Sequence, residues 1–97
     1  MPVLEISIMP IGTDEASFSS YVSKACSVMD RHGLQYRVTP MSTMVEGNME
    51  QLMSVVKEVH SLPFTAGVDR VITNVTIDER RDKSMDMDTM VQAVHNH

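Results

Sequence analysis

The chain has no tryptophan, a single cysteine, and only four glycines and four prolines in 97 residues. Each shortage removes a class of answer. One thiol, Cys26, cannot make an internal disulfide framework, so a reducing compartment is expected and the cytoplasm is its default form. No Gly-rich phosphate loop is present, and Gly12 alone reads as a strand terminator. Basic residues are scarce: eight Lys and Arg against thirteen Asp and Glu give a formal charge of −5. A polyanion binder needs a basic stripe to release counterions, so nucleic acid is not an expected partner. No apolar run approaches the ~20 residues of a bilayer span. The stretch Met1 to Glu5 meets an acid with no basic region before it, unlike a signal peptide, so no membrane partner is expected.

What remains is ordinary globular material. Hydrophobic residues make up 42% and charged residues 22%, within the usual range for a folded domain. A single domain over residues 1–97 is expected. Ten methionines stand out, although Met is also a flexible core filler.

Hydrophobic periodicity supplies the elements. Val3 to Ile8 alternates as a half-buried strand does, and Pro10 with Gly12 closes it. Thr13 or Asp14 is placed to cap a helix, with Glu15 in its first turn. Phe18, Val22, Ala25, Cys26 and Met29 form that helix's apolar stripe, and Gly33 stops it. Gln35 to Thr39 is a short strand closed by Pro40, and a second runs from about Ser42 to Glu46. Asn48 caps the next helix, and Gln51 three residues on completes a capping-box pattern. Leu52, Val55, Val56, Val59 and Leu62 are its buried stripe, with Pro63 and Gly67 bracketing its exit. Asp69 to Ile77 is a strand rich in Val, Ile and Thr. Asp86 to about Val94 reads as a shorter third helix.

The order β-α-β-β-α-β plus a tail helix gives an α+β sandwich: a four-stranded antiparallel sheet with two helices on one face. Leu4, Ile6, Ile8, Tyr36, Val38, Thr43, Val45 and alternate residues Val71 to Ile77 are assigned to the helix side. Glu5, Ser7, Met9, Arg37, Thr39, Ser42, Met44, Glu46, Ile72, Asn74 and Thr76 are left on the open side. The stretch 42–46 has the weakest pattern, and a slip of one residue there exchanges its two faces. The open side mixes hydroxyls, acids, an amide and apolar groups. Such a surface suits cover by another subunit with room for a small polar ligand; the plainer alternative is a moderately polar exposed face.

Three stretches carry a resemblance. EISIMPIGT (Glu5 to Thr13), YRVTPMSTMVEG (Tyr36 to Gly47) and DERRDK (Asp78 to Lys83) are similar, in order and spacing, to the small thiamine-binding protein family, formerly grouped as proteins of unknown function. The resemblance covers residues 3 to about 94. It implies a ferredoxin-like fold, assembly through the open sheet face into homodimers and often homotetramers, and binding of thiamine or a related pyrimidine. It implies no catalytic activity and no cofactor. Ser42 stands where the family usually has Gly, which bears on the width of any pocket there.

Thiamine carries a cationic thiazolium and an aminopyrimidine, so its site should offer a carboxylate, hydroxyl partners and an apolar surface for the rings. Glu5, Ser7, Thr39, Met41, Thr43 and Glu46 fit that list, with Tyr21 and Met41 placed to pack on a ring. Glu5 or Glu46 is the expected countercharge; the plainer readings are that Glu46 ends a strand and Glu5 pairs with Arg37. Arg80, Arg81 and Lys83 invite an anion site, but Asp78, Glu79 and Asp82 favour a local salt-bridge cluster at an interface. No metal site is expected: no two of His32, His60, His95 and His97 fall at i, i+4 in one helix. Met85 and Met87 suggest packing rather than copper, because Met90 continues their helical side. Two other functions stay open, an assembly subunit without ligand and a small hydrolase on the same fold.

Overall fold

The computed structural model describes residues 1–12 and 18–95, without the side chains of residues 18, 19 and 95. The expected cap at Thr13 or Asp14, Glu15, and the tail end at His97 lie outside the described residues. The elements are β1 (Val3–Ile11), α1 (Phe18–Arg31), β2 (Gln35–Val38), β3 (Thr43–Glu46), α2 (Met49–Thr65), β4 (Arg70–Asp78) and α3 (Met87–His95). The sheet order is β2-β3-β1-β4 with every pair antiparallel. This is the ferredoxin-like sandwich that the element order predicts.

Two prolines fall inside elements they were expected to end. β1 continues past Ile8 to Ile11, with Pro10 opposite Val71. A strand tolerates proline where one flank lacks a neighbour, and β1 pairs with β3 only from Val3 to Ile6. α2 likewise runs through Pro63 to Thr65. Pro63 sits in the last turn, where few following residues depend on an unbroken ladder. Beyond it the Gly67 N–H donates to the Phe64 carbonyl and the Val68 N–H to the Pro63 carbonyl, both at 3.1 Å. With Gly67 at φ +87°, this is a Schellman stop. Asn48 and Gln51 form the expected capping box, each side chain bonded to the other's backbone N–H.

The core is made by Leu4 and Ile6 of β1, Val45 of β3, Ala25, Val28 and Met29 of α1, and Leu52, Val55 and Val59 of α2. Gly47 lets the chain pass closely here: a Cβ at that position would lie 3.0 Å from Leu34 Cδ2 and 3.2 Å from Gln51 Oε1. Strand register settles the face of residues 42–46. Thr43 stands opposite Ile6 and Val38, and Met44 opposite Glu5 and Arg37. Residues facing each other across antiparallel strands share a side, so Thr43 and Val45 face the helices while Met44 and Glu46 face the open side.

The third helix changes that open side. Met85 and Met87 are buried against Val3, with Met44 and Met90 packed around them. Val3 shares the face of Glu5, so the chain's own C-terminal segment roofs one end of the open sheet. Three polar ties hold it. The Met87 N–H donates to Glu46 Oε2 at 2.9 Å, Arg37 pairs with Asp88, and the Met1 amino group donates to the Met85 carbonyl at 3.0 Å. Asp86 and Thr89 close a reciprocal cap at the helix start, and the Thr89 N–H holds the Asp86 carboxyl below its ordinary range.

Candidate functional site

Strand lengths decide where a ligand can enter. β1 is nine residues long and β3 four, so β1 outruns β3 and leaves a notch in the sheet beside residues 7–11. Alternate backbone N–H and C=O groups of β1 point toward that flank with no strand of the described chain to meet them. A cavity of about 430 Å³ fills the notch, within the range of small-molecule sites. Its floor comes from the core: Ile6 and Ile8 of β1, Val22 and Ala25 of α1, and Val59 of α2. One wall is the β2–β3 turn, Thr39 to Thr43. Ser7, Met9 and Asn74 also line it. These three lie on the open side, whereas Ile6, Ile8 and Thr43 lie on the helix side. The cavity therefore passes through the plane of the sheet, which only the missing strand neighbour permits.

The turn is closed by the Thr39 N–H, which donates to the Ser42 carbonyl at 2.8 Å, and reinforced by the Thr39 hydroxyl. Thr39 Oγ1 donates to the Ser42 carbonyl at 2.9 Å and accepts from the N–H groups of Met41 (3.2 Å) and Ser42 (3.0 Å). Met41 is left 86% exposed at the rim, where a thioether can fold over a ligand. Tyr21 lines the cavity from α1, and Lys24 Nζ lies 5.6 Å from its ring centroid.

Five of the seven residues singled out in the sequence meet here: Ser7, Tyr21, Thr39, Met41 and Thr43. Glu5 and Glu46 do not line the cavity. Glu5 is exposed on the open side between Met44 and Thr76. Glu46 is bonded to the start of α3, and Arg37, the expected partner of Glu5, pairs with Asp88 instead. No acid occurs among the described lining residues, and the Lys24 ammonium lies against the rim ring.

The basic cluster is engaged locally. Arg80 grips Asp82 with two hydrogen bonds, which draw the Asp82 carboxyl below its ordinary range, and Arg81 lies 3.9 Å from Glu79. Lys83 borders a shallow groove beside α3 with Asp78 and Thr89. Cys26 is partly covered on α1; burial, then the charge of Asp30, push its thiol up, against a reactive role.

Sequence reasoning missed the floor residues Val22, Ala25 and Val59, which it placed in the core, and missed Asn74 and Met9 as lining. The signal available was the mismatch in strand length, hidden because Pro10 reads as an ending.

The sequence pattern of the thiamine-binding protein family matches residues 4–95. A UPF0045 protein of Staphylococcus xylosus is 39% identical, over 100% of this chain and 94% of that protein. The UPF0045 protein YqgV of Bacillus subtilis is 35% identical, over 100% and 97%. A crystal structure from Methanocaldococcus jannaschii superposes with a TM-score of 0.88 at 35% identity, covering 99% of this chain and 97% of that one.

Proposed function

The chain belongs to the thiamine-binding protein family, and from that premise we propose that the notch cavity binds thiamine or a related hydroxymethylpyrimidine without transforming it. The single observation that carries this reading is the cavity's make-up. It is mostly apolar, with the hydroxyls of Ser7, Ser42 and Thr43, the amide of Asn74 and a ring at its rim, while the Thr39 hydroxyl is spent on the turn. A planar heterocycle with donors and acceptors on its edge matches that surface, and the free flank of β1 adds backbone partners.

The absence of an acid among the described lining residues favours seating the neutral aminopyrimidine inside, with the cationic thiazolium outward toward solvent. What supports binding over catalysis is the same lining: its hydroxyls have no His, Asp or Glu beside them, among the described residues, to take a proton. The proposed setting is the cytoplasm, and the role is buffering, transport or sensing of the vitamin by a dimer or tetramer. The part of the open face that α3 leaves bare, where Met9 and Ile72 are exposed, is the surface proposed for that assembly.

Isothermal titration with thiamine, its phosphates and hydroxymethylpyrimidine tests the reading. Binding of the pyrimidine alone, together with a rise in melting temperature, is expected, since a ligand of the native state must stabilise it. No heat and no stabilisation at millimolar concentration of any of the three would remove the vitamin and leave the assembly subunit as the better reading.

A further inference from the structure

The direction of each backbone group of β1 follows from its register. In an antiparallel ladder a residue that exchanges hydrogen bonds with its partner turns both its N–H and its C=O to that side, and the sides alternate along the strand. The Gly47 N–H donates to the Pro2 carbonyl at 3.3 Å, which sets the parity. Pro2, Leu4, Ile6, Ile8 and Pro10 turn toward β3, and the odd-numbered residues of β1 turn toward β4. β3 agrees with this. The Thr39 N–H donates to the Ser42 carbonyl, so Ser42 and Met44 turn toward β2, and Thr43 and Val45 turn toward their partners Ile6 and Leu4. β3 begins only at Thr43, opposite Ile6. Ile8 is therefore the first residue whose N–H and C=O both face the notch, and among the described residues no backbone group meets them.

The next residue of that parity is Pro10, which has a carbonyl but no N–H. The flank thus offers one complete donor–acceptor pair, at Ile8, and a lone acceptor about 7 Å further on. An added strand would bring a carbonyl to each of the two positions, and the one at Pro10 would go unmet. One pair is all that a small flat ligand requires. The surroundings suit a ring lying edge-on to the strand. Val22, Ala25 and Val59 line the cavity from the helix side of the sheet plane, and Ser7, Met9 and Asn74 from the other. A ring in that plane has an apolar surface against one face and a mixed one against the other.

We propose that the backbone of Ile8 reads the ligand's polar edge, its N–H donating to a ring nitrogen and its carbonyl accepting from an exocyclic amino group on the adjacent carbon. The ligand takes the place of the next strand for one residue. The class selected is a flat heterocycle with an acceptor nitrogen beside an amino-bearing carbon, and a 4-aminopyrimidine is one such ring. This rests on the pyrimidine reading of the cavity and names the edge by which the ring is held. An analogue without the amino group leaves the Ile8 carbonyl unmet inside the notch, the loss by which a polar site rejects a ligand of nearly the same shape.

Calorimetric titration of the intact protein with hydroxymethylpyrimidine and with its analogue lacking the 4-amino group tests this, alongside amide hydrogen exchange followed by NMR. In the free protein the Ile8 N–H should exchange faster than those of Ile6 and Met9, which the ladder holds. Saturation with the pyrimidine should slow Ile8 about tenfold or more, and the analogue should bind about tenfold or more weakly. Ile8→Pro removes the donor, as Pro10 already does two residues on, whereas Ile8→Ala loses the side chain and keeps the donor. With circular dichroism confirming both folds, the proline variant should bind about tenfold more weakly than the alanine variant. Should the proline variant fail to fold, the exchange and analogue measurements on wild type decide. Equal binding of the two pyrimidines, or an Ile8 amide whose exchange is the same with and without ligand, overturns the proposal and leaves the pyrimidine reading standing. No binding of hydroxymethylpyrimidine removes that reading and the proposal with it.

Discussion

Replacing Glu46 separates two roles that its place in the sequence confounds. As a countercharge for a bound cation, Glu46→Gln would weaken ligand binding and leave the fold alone. The structure engages its carboxylate elsewhere, as acceptor of the Met87 N–H at 2.9 Å, one of the first-turn donors of α3 that have no partner within the helix. A hydrogen bond to a charged group contributes about 1.5–3 kcal/mol. Glu46 is only half-buried and water can replace part of it, so Glu46→Ala should cost about 1–2 kcal/mol. Glu46→Gln keeps an acceptor oxygen and loses only the charge at the helix start, about 0.5 kcal/mol. For a domain of this size these become melting shifts of roughly 4–16 °C and 2–4 °C. Differential scanning calorimetry gives the shifts and limited proteolysis shows whether residues 84–95 loosen, while titration follows thiamine affinity, expected to change little. An unaltered melting temperature beside a large fall in affinity would refute the reasoning.

Two other substitutions probe the wall of the cavity and the clamp between its supporting helices. Thr39→Val removes the hydroxyl that ties residues 39–42; it should cost about 1–2 kcal/mol and reduce ligand affinity, with Thr39→Ser restoring both in calorimetry and titration. Glu58 bonds His32 Nε2 and Arg31 Nη2, each at 2.9 Å, and these two partners hold its carboxyl below the ordinary value. Because the folded carboxyl is the more acidic, its stabilisation is complete above the unfolded carboxylate pKa of about 4.3. That stabilisation is lost as pH falls through the folded value. The pair is solvent-screened, so Glu58→Gln should remove under ~1 kcal/mol, seen as a shallower decline of the urea midpoint between neutral and acid pH.

The fold was legible because its signals were local and mutually consistent. Alternation in Val3 to Ile8, the Asn48–Gln51 capping box and the stripe Leu52, Val55, Val59 all report which face a residue buries, and those faces close into one sandwich. Even residues 42–46 followed the correct alternation. Legibility failed where an element's end depends on its neighbours. Pro10 breaks a central strand and is harmless in one with a bare flank, and nothing local to Pro10 reveals that β3 stops at Thr43. The same holds for Glu46: alternation put it on the open side, but only the return of the chain at Met87 shows what its carboxylate touches. Side-chain type found five lining residues of the cavity. The countercharge was a demand made by a ligand, and the described lining does not meet it.

The ladder between β1 and β4 has a temporal consequence. Nine consecutive residues at one end of the chain, Val3 to Ile11, pair with nine near the other, Arg70 to Asp78, and α1, the β2–β3 hairpin and α2 are all enclosed between them. Contacts so distant in sequence carry the largest loop-closure entropy and slow folding. Leu4 and Ile6 are made well before the strand that secures them, since every other element of the sandwich is synthesised between the two. The cavity shares that history, since its floor and its open flank are both β1. The cavity beside β1 is thus complete only once β4 has been made and paired.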